Sequence, residues 1–353
     1  NGTGVGNDTA SERKMMRKFI VDSSTYWANE YKLDGFRFDL MGIHDVKTMN
    51  LVRKELKRID PTSIVHGEGW DLNTPLPAAE KANQKNAAKM PGIGHFNDDI
   101  RDGLKGSVFI DQDNGFINGK ANMEDRIKKG IMAGLDYDPA QATYQDPEQV
   151  LTYVEAHDNH TLWDKLELTN PDAGYEEKKQ RHKLASSIIL TSQGISFIHA
   201  GQEFMRTKYG DHNSYKSPDS INQMDWKRNA AFSHEVDYMR GLIDLRKKHA
   251  AFRMTTASAI KEHIDFLDAP ANVIAYTIDG EGKGKHRSQY FIAHNANNGA
   301  RELTLPANAS WKVLVDGENA SAKSLYTIKG EQLVVPAMST VVLQTEVNVK
   351  KKR

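Results

Sequence analysis

Carboxylates recur in this chain directly after short apolar runs. Asp39 follows "GFRF", Glu68 follows "SIVHG" and Asp158 follows "VLTYVEAH". Two carboxyl groups on neighbouring strands suit glycoside hydrolysis, in which one attacks the anomeric carbon and the other protonates the leaving oxygen. A separation of about 5–5.5 Å between them would give retention of the anomeric configuration. The residue types therefore favour acid–base chemistry on a sugar.

The pair Arg37 and Asp39 raises a question of burial. The two lie among bulky apolar residues, and an unpaired charge in such a strand costs several kcal/mol, roughly. Because residues two apart in a strand share a face, we predict that Arg37 and Asp39 pair. A neighbouring cation lowers the pKa of a carboxyl, so Asp39 is expected to stay ionised, whereas Glu68 beside Trp70 is expected to act as the acid. A purely structural ion pair is the alternative.

Other apolar runs also end in polar residues: His66, Asn97, Asp98, His157, Asn159, His199, Gln202 and Glu203. In a parallel α/β sheet or barrel, active sites lie at the carboxyl ends of the strands, so this recurrence favours function over structure. A metal centre is an alternative from another class, with imidazole and carboxylate ligands drawn from His66, His95, Asp98, His157, Asp158 and His199. We predict no metal in the chemistry, because Arg37 would place a fixed cation beside it. The "GTGVG" segment follows no readable strand and does not indicate a phosphate-binding loop.

The elements that position these residues alternate between helix and strand up to about residue 254. A capping-box spacing at Thr9 begins an amphipathic helix predicted over 10–32. Asp45 can cap a second helix, whose apolar face would comprise Met49, Val52 and Leu56. Further helices are predicted at "QRHKLASSIILTSQG", with Gly194 as its stop, and at 235–254. Repeated strand–helix order implies a parallel sheet.

From about residue 255 the sequence pattern changes from alternating helices and strands to short β-rich runs. Turn residues such as "DGEGKGK" and "IKGEQ" separate runs such as "NVIAYTI", "ELTLP", "WKVLV" and "STVVLQ". This pattern is typical of a small antiparallel β-sandwich. Trp311 in this region is expected to pack in its core.

Composition excludes several classes of function. The chain has 353 residues, with 47 Lys+Arg balancing 47 Asp+Glu, and it lacks cysteine. Zero net charge argues against nucleic-acid and anionic-membrane partners. Without cysteine, disulfides, thiolate catalysis and zinc–cysteine sites are excluded. No apolar run approaches the roughly 20 residues of a membrane span.

Several of these segments resemble the α-amylase superfamily, family 13 of the glycoside hydrolases. "GFRFD" resembles its nucleophile segment, "HGEGW" its acid/base segment and "EAHDN" the segment of its third carboxylate, in the same order. Within the superfamily, "GEGWDLNTPLP", "PGIGHFNDDIRDGLKG" and "NSYKSPDSINQMDW" are similar to the type I pullulanases of bacteria. These enzymes debranch pullulan, starch or glycogen at α-1,6 links by double displacement.

The resemblance implies a role for each matching residue. Asp39 would be the nucleophile, Glu68 the general acid/base and Asp158 the stabiliser of the transition state. Substrate contacts would come from Arg37, Trp70, His157 and Asn159. Asp219 and Asn222 are either sugar contacts or residues that order their loop. No cofactor is expected for the chemistry, although a structural Ca²⁺ is compatible with the resemblance.

The resemblance also implies a (β/α)8 barrel, which this chain does not complete. Only five strand-like runs are visible, ending near 39, 68, 97, 158 and 199. We therefore predict an α/β fold in which 1–254 forms about strands 4–8 of a barrel and 255–353 forms the sandwich domain. The strand at 33–40 would have an unpaired edge. The chain is accordingly expected to need an N-terminal fragment of the same enzyme as a second chain, and the intact enzyme to be extracellular rather than cytoplasmic.

Three alternatives share these features. An amylase or neopullulanase acting on α-1,4 links would carry the same three carboxylates, and only the wider match favours α-1,6 links. A metal-dependent barrel hydrolase is the second, as above. The third is a non-catalytic carbohydrate-binding relative, which the presence of all three carboxylates disfavours.

Overall fold

The computed structural model describes residues 1–138, 140, 142–280 and 286–348. The chain divides into two compact units. Unit 1 comprises Asn1–Asn97, Ala133–Leu151 and Thr255–Ala257, and unit 2 comprises Asp98–Met132, Thr152–Met254 and Ser258–Arg353. None of the helices in the described part is both long enough and apolar enough to cross a membrane. The predicted domain boundary between residues 254 and 255 stays a prediction.

The parallel sheet predicted from strand–helix alternation is confirmed in unit 1. Its strands follow chain order: β1 (Gly35–Phe38), β2 (Ile64–Gly67) and β3 (Ile93–Phe96), followed by β4 (Val150–Thr152), whose last residue belongs to unit 2. β1 lies at one edge and pairs in parallel with β2, with Arg37 opposite His66. Val65 and Ile93 are almost fully buried, as expected of parallel strands covered by helices. The carboxyl ends of these strands therefore share one edge of the sheet.

Two helices of unit 1 flank β1 in the sequence. α1 spans Lys14–Tyr31 and α2 spans Val46–Ile59. The predicted capping box at Thr9 is wrong, because α1 begins after Arg13 and has no side-chain cap. The prediction for α2 is confirmed: Asp45 accepts a hydrogen bond from the Thr48 N–H, and the buried face comprises Met49, Val52 and Leu56.

α1 turns a different face inward from the one its aromatic residues suggest. Small residues, among them Ser24 and Ala28, are buried. The larger residues Met15, Phe19, Tyr26, Trp27 and Tyr31 are exposed. Close packing of α1 against α2 favours small side chains between the helices, which leaves the aromatic side free.

Most of the other helices belong to unit 2. They are α3 (Asp98–Lys105), α4 (Glu124–Ile131), α5 (Leu162–Thr169), α6 (Tyr175–Thr191), α7 (Asp219–Asn222), α8 (Trp226–Ala231) and α9 (Ser233–Lys248). α10 (Ala257–His263) precedes the β-rich region. Gly194 follows α6 with φ of 86°, a left-handed conformation that suits glycine after a helix end. A two-residue strand, β5 (Ile195–Ser196), comes next, and the N–H of Phe197 donates to the carbonyl of Thr152.

The β-rich region is antiparallel, as predicted, and its strands hydrogen-bond in one continuous order, while the two-layer sandwich stays a prediction. Its strands are β6 (Ile264–Leu267), β7 (Val273–Asp279), β8 (His286–Asn295), β9 (Arg301–Val315), β10 (Tyr326–Val335) and β11 (Ser339–Asn348). They pair in the order β10-β9-β11-β8-β7-β6. The runs "ELTLP" and "WKVLV" merge into the single strand β9, which pairs with both β10 and β11.

The predicted turn signals of this region have different outcomes. "IKGEQ" is an irregularity within β10, between Gly330 and Gln332, and not a turn. Residues 281–285 of "DGEGKGK" and the basic end 349–353 lie outside the described residues. The core position of Trp311 is confirmed: it is fully buried in a cluster with residues of β7, β8, β10 and β11.

Candidate active site

Arg37 lies between two carboxylates at the carboxyl edge of the parallel sheet. One guanidinium nitrogen donates to Asp39 Oδ1, and another donates to Glu68 Oε1 at 2.7 Å. The predicted pairing of Arg37 with Asp39 is confirmed, and the contact with Glu68 on the neighbouring strand was not foreseen. Because one planar cation contacts both acids, it holds Asp39 and Glu68 in one group.

The two carboxylates differ in their surroundings. Glu68 is 6% exposed, whereas the side chain of Asp39 is 63% exposed. Both oxygens of Glu68 accept hydrogen bonds, Oε1 from Arg37 and Oε2 from the backbone N–H of Leu40 at 2.7 Å. The accessible Asp39 is thus the group that an entering molecule can reach first, while Glu68 is held in a fixed orientation.

A strained turn after β1 produces the Leu40 contact. Leu40 has φ of 46°, a left-handed conformation that is unfavourable for a non-glycine residue. The next turn is stabilised by the Gly42 N–H, which donates to the Glu68 carbonyl at 3.0 Å. A Cβ at Gly42 would lie 1.9 Å from the Trp70 carbonyl oxygen, so only glycine permits this approach. The strand predicted over 33–40 includes Leu40, whereas β1 ends at Phe38, and no residue type in this stretch indicates the turn.

Aromatic and imidazole rings surround the Arg37 guanidinium. Its central carbon lies 5.6 Å from the centroid of the Phe96 ring, and His66 contacts the same ring. Burial, together with the positive charge of Arg37, lowers the pKa of His66 to about 4. His66 is therefore neutral at physiological pH, and Arg37 is the cation of this cluster.

The third predicted carboxylate lies in unit 2. His157 Nε2 and Asp158 Oδ1 are 3.5 Å apart, and both side chains are more than half exposed. Asn159 follows with φ of 64° and forms part of the same turn. The structure thus brings Asp39, Glu68 and Arg37 together in unit 1, and His157, Asp158 and Asn159 together in unit 2. Trp70 is half-buried in unit 1, two residues beyond Glu68.

The residues of the metal-centre alternative are distributed over both units. His66 and His95 belong to unit 1, and Asp98, His157, Asp158 and His199 to unit 2. His199 Nδ1 lies 3.3 Å from Glu155, which is almost fully buried. Burial by itself would raise the pKa of Glu155, but the His199 contact and the Leu162 N–H hold it below the ordinary value. His199 therefore has a structural partner in this unit.

Two further predicted residues order a loop or begin a helix. The Asn222 side chain donates to the carbonyls of Ser214 and Ser217, at 2.7 and 3.0 Å, which favours the loop-ordering interpretation for this residue. Asp219 is the first residue of α7 and is exposed.

Comparison with known proteins agrees with the resemblance seen in the sequence. Residues 260–319 match the family described as "Pullulanase, all-beta domain". The pullulanase of Bacillus subtilis strain 168 is 44% identical over 316 residues, which cover 90% of this chain and 44% of that protein. Pullulanase A of Streptococcus pneumoniae strain D39 is 29% identical, over 97% of this chain and 32% of its own length. The chain thus spans less than half the length of these curated relatives.

Solved structures give the same result. The type I pullulanase of B. subtilis strain 168 in complex with maltose superposes with a TM-score of 0.92 at 42% identity, covering 99% of this chain and 48% of that one. The D470A mutant of the Paenibacillus barengoltzii pullulanase in complex with maltotetraose superposes with a TM-score of 0.90 at 47% identity, covering 99% and 53%. An isoamylase of Flavobacterium is 24% identical, over 87% of this chain and 45% of its own length. The relatives thus define a class of pullulanases and isoamylases. Within that class, the chain belongs to the pullulanase family.

Proposed function

We propose that this protein is the part of a debranching enzyme that carries the catalytic carboxylates, and that the enzyme hydrolyses α-1,6-glucosidic links in pullulan and branched α-glucans. The observation that carries the proposal is the contact of one guanidinium, that of Arg37, with both Asp39 and Glu68. Two carboxylates gathered on adjacent strands are what a double displacement requires. The maltose and maltotetraose in the complexes of its relatives support an α-glucan as substrate.

In the proposed mechanism the accessible Asp39 attacks the anomeric carbon, and the bond to the leaving sugar breaks. Glu68 gives its proton to the departing glycosidic oxygen, so that a glycosyl ester on Asp39 and a free hydroxyl result. Glu68 then takes a proton from water, which cleaves the ester with a second inversion and restores both groups. In this structure Glu68 accepts two hydrogen bonds, one of them from Arg37. Because a neutral carboxyl attracts a cation less than a carboxylate does, we propose that Arg37 shifts toward Asp39 when Glu68 carries the proton.

The remaining site residues have supporting roles in this proposal. Asp158 would stabilise the positive charge that develops on the sugar ring, because a fixed carboxylate near that charge lowers the barrier. His157 and Asn159, on the same turn, would hydrogen-bond sugar hydroxyls. Trp70 would stack on a sugar ring near the cleaved link.

We further propose that the parallel sheet is part of a (β/α)8 barrel that ends near residue 254. β1 is an edge strand, and α1 exposes an aromatic face in the same unit. An edge strand and an apolar helix face both call for a covering partner. The curated relatives contain a further portion, longer than this chain's match to them, which we propose as the occupant, whether on one polypeptide or as an N-terminal second chain.

The test is an assay on pullulan, with the protein alone and mixed with a polypeptide that spans the N-terminal portion of the B. subtilis relative. Release of maltotriose is expected at least in the mixture. Asp39→Asn and Glu68→Gln should each abolish it, and Asp237→Asn, an exposed aspartate on α9, should not. Activity that survives Asp39→Asn, or no activity in either sample, would refute the proposal. Products of α-1,4 cleavage would indicate an amylase or neopullulanase instead.

Three smaller proposals concern metal ions and the place where the enzyme acts. Chelation with EDTA is expected to leave the cleavage rate unchanged, since we propose no metal in the chemistry. A fall in melting temperature upon chelation would reveal a structural Ca²⁺.

Because pullulan and starch are polymers too large for passive uptake, we also propose that the intact enzyme acts outside the cell. Its activity should then appear in the culture medium of the source cells.

A further inference from the structure

The turn that carries Asp158 depends on its backbone for its position. The side chain of Asp158 is 61% exposed, so packing restrains it only weakly. Asn159 takes a left-handed conformation, with φ of 64°. The placement of the Asp158 carboxylate therefore follows from how the peptide groups of residues 157–160 are held.

Two buried lysines hold this turn at its two ends. Lys208 is 1% exposed, and its ammonium donates to the His157 carbonyl at 3.0 Å. Lys105, on α3, is also 1% exposed and donates to the His160 carbonyl at 3.2 Å. Burying an ammonium group costs several kcal/mol unless it is well paired, roughly. Each of these two ammonium groups is paired with a carbonyl of the same short turn.

Lys208 itself is fixed to the helix that follows the turn. Its backbone N–H donates to Asp164 at 2.8 Å, and the hydroxyl of Thr207 donates to the same carboxylate. Asp164 lies in the first turn of α5, where its own N–H donates to the Thr161 hydroxyl. The loop with Lys208, the helix α5 and the turn at 157–160 thus form one hydrogen-bonded assembly.

The charge of Lys208 also acts on Asp158. Burial lowers the pKa of Lys208, whereas Asp164 and Asp158 act in the opposite direction. Asp158 is therefore within electrostatic reach of the Lys208 ammonium. A hydrogen bond to the preceding carbonyl and an attractive charge together restrict where the carboxylate can lie.

We propose that Lys208 is a positioning residue for Asp158: its buried ammonium holds the His157 carbonyl and so fixes the turn on which the Asp158 carboxylate is presented. Lys105 secures the far end of the same turn. The part of this inference that concerns the reaction rests on the proposed function, in which Asp158 stabilises the transition state. The part that concerns the turn rests on the contacts alone.

The experiment compares Lys208→Met, Lys208→Arg and the unsubstituted protein by hydrogen–deuterium exchange and by kinetics on pullulan. In Lys208→Met, amides of residues 157–162 should exchange about tenfold faster while those of β7–β11 stay unchanged. Its kcat should fall by about tenfold or more with KM little changed, because a displaced group loses transition-state stabilisation rather than binding. Lys208→Arg, which keeps a cationic donor, should recover part of both.

The matched control is Lys183→Met, which removes another buried ammonium of unit 2, one that pairs with Glu318. It should leave exchange at 157–162 and kcat unchanged. Unaltered exchange of the turn in Lys208→Met would overturn the proposal. Faster exchange throughout unit 2 would also overturn it, since Lys208 would then be a general structural residue.

The two proposals can fail separately. If the unsubstituted protein does not cleave pullulan in either sample, the proposed function fails, and the exchange of the turn still decides the role of Lys208. If pullulan is cleaved and Lys208→Met changes KM alone, the positioning role is overturned while the function stands. Should Lys208→Met not fold, Lys208→Gln, a shorter neutral donor, replaces it and must show the same local increase in exchange.

Discussion

At the scale of single residues, Arg37 organises the site more than either carboxylate does. Its guanidinium contacts Asp39 and Glu68 and lies over the Phe96 ring. A planar fork can serve two carboxylates at once, which a single ammonium cannot do with the same geometry. Arg37 therefore determines how the two acids are oriented toward each other.

Replacing Arg37 should consequently impair the reaction more than it impairs folding. Arg37→Met is expected to lower kcat/KM on pullulan by about 100-fold or more, the usual range for a group that acts on developing charge. Arg37→Lys keeps the charge but not the fork and should recover only part of this loss. Steady-state kinetics alongside melting temperature would show the difference.

The control for this prediction is Arg58→Met, which removes an exposed arginine paired with Glu55 on α2. Its kinetics should match those of the unsubstituted protein. An Arg37→Met variant with wild-type kcat/KM would show that the arginine is only a structural partner of the two acids.

At the scale of elements, Asp45 connects the start of α2 to the segment that precedes α1. Its carboxylate accepts hydrogen bonds from Ser11 at 2.7 Å, from the Thr48 N–H at 3.0 Å and from Arg17 at 3.2 Å. Asp45 is 3% exposed. Burial by itself would raise its pKa, but the bonds from Thr48 and Ser11 and the charge of Arg17 outweigh burial and lower the pKa. One residue thus caps a helix and ties down the chain before it.

The stability of this element should depend on pH. Because the folded pKa of Asp45 is lowered, its contribution is present above the unfolded value near about 3.9 and is lost as pH falls through the folded value. Asp45→Ala should lower the free energy of unfolding by about 2 kcal/mol or more at neutral pH. Asp45→Asn, which keeps a capping oxygen without the charge, should lower it by less.

Denaturant unfolding of the three proteins between about pH 7 and pH 2 would measure this, and the difference in unfolding free energy between wild type and Asp45→Asn should narrow below about pH 4. Glu55→Gln removes a carboxylate from the surface of the same helix and should change the free energy by less than about 1 kcal/mol. A difference between wild type and Asp45→Asn that stays constant with pH would contradict the assigned role.

At the scale of the whole molecule, the aromatic face of α1 is the most conspicuous exposed apolar surface of unit 1. Phe19 is 68% exposed and Tyr31 58%, and the rings of Trp27 and Tyr31 lie 4.4 Å apart. Contiguous apolar surface of this kind marks an interaction site. The protein by itself should therefore associate through this face when no covering portion is present.

Size-exclusion chromatography with light scattering would measure this association over a range of concentrations. The double variant Phe19→Glu/Tyr31→Glu is expected to shift the protein toward monomer, and to weaken its binding to the N-terminal portion of the B. subtilis relative. Phe109→Glu is the control, since Phe109 is 87% exposed but lies in unit 2, away from α1 in the sequence. Equal effects of the two substitutions, or a wild-type monomer at every concentration, would refute the prediction.

Much of this protein could be predicted from local pattern. The strand–helix alternation predicted the parallel sheet, and Asp45 as a capping residue predicted the start of α2. Because residues two apart in a strand share a face, their spacing also predicted the Arg37–Asp39 pair. The short β-rich runs after residue 254 predicted an antiparallel region, in which β9 joins two of the predicted strands into one. Periodicity and turn residues act over a few positions, and they determine these features directly.

The remaining features depended on contacts between distant segments. The local sequence pattern does not predict three of these features. They are the hydrogen bond from the Leu40 N–H to Glu68, the exposed aromatic side of α1 and the hydrogen bond from Lys208 to the His157 carbonyl. Each arises because residues 28 or 51 positions apart, or two packed helices, meet in three dimensions. By itself the sequence determined which residues could do chemistry and which elements carry them. Only the tertiary structure decided which groups hold those residues in place, because a hydrogen bond across the fold depends on packing and not on spacing.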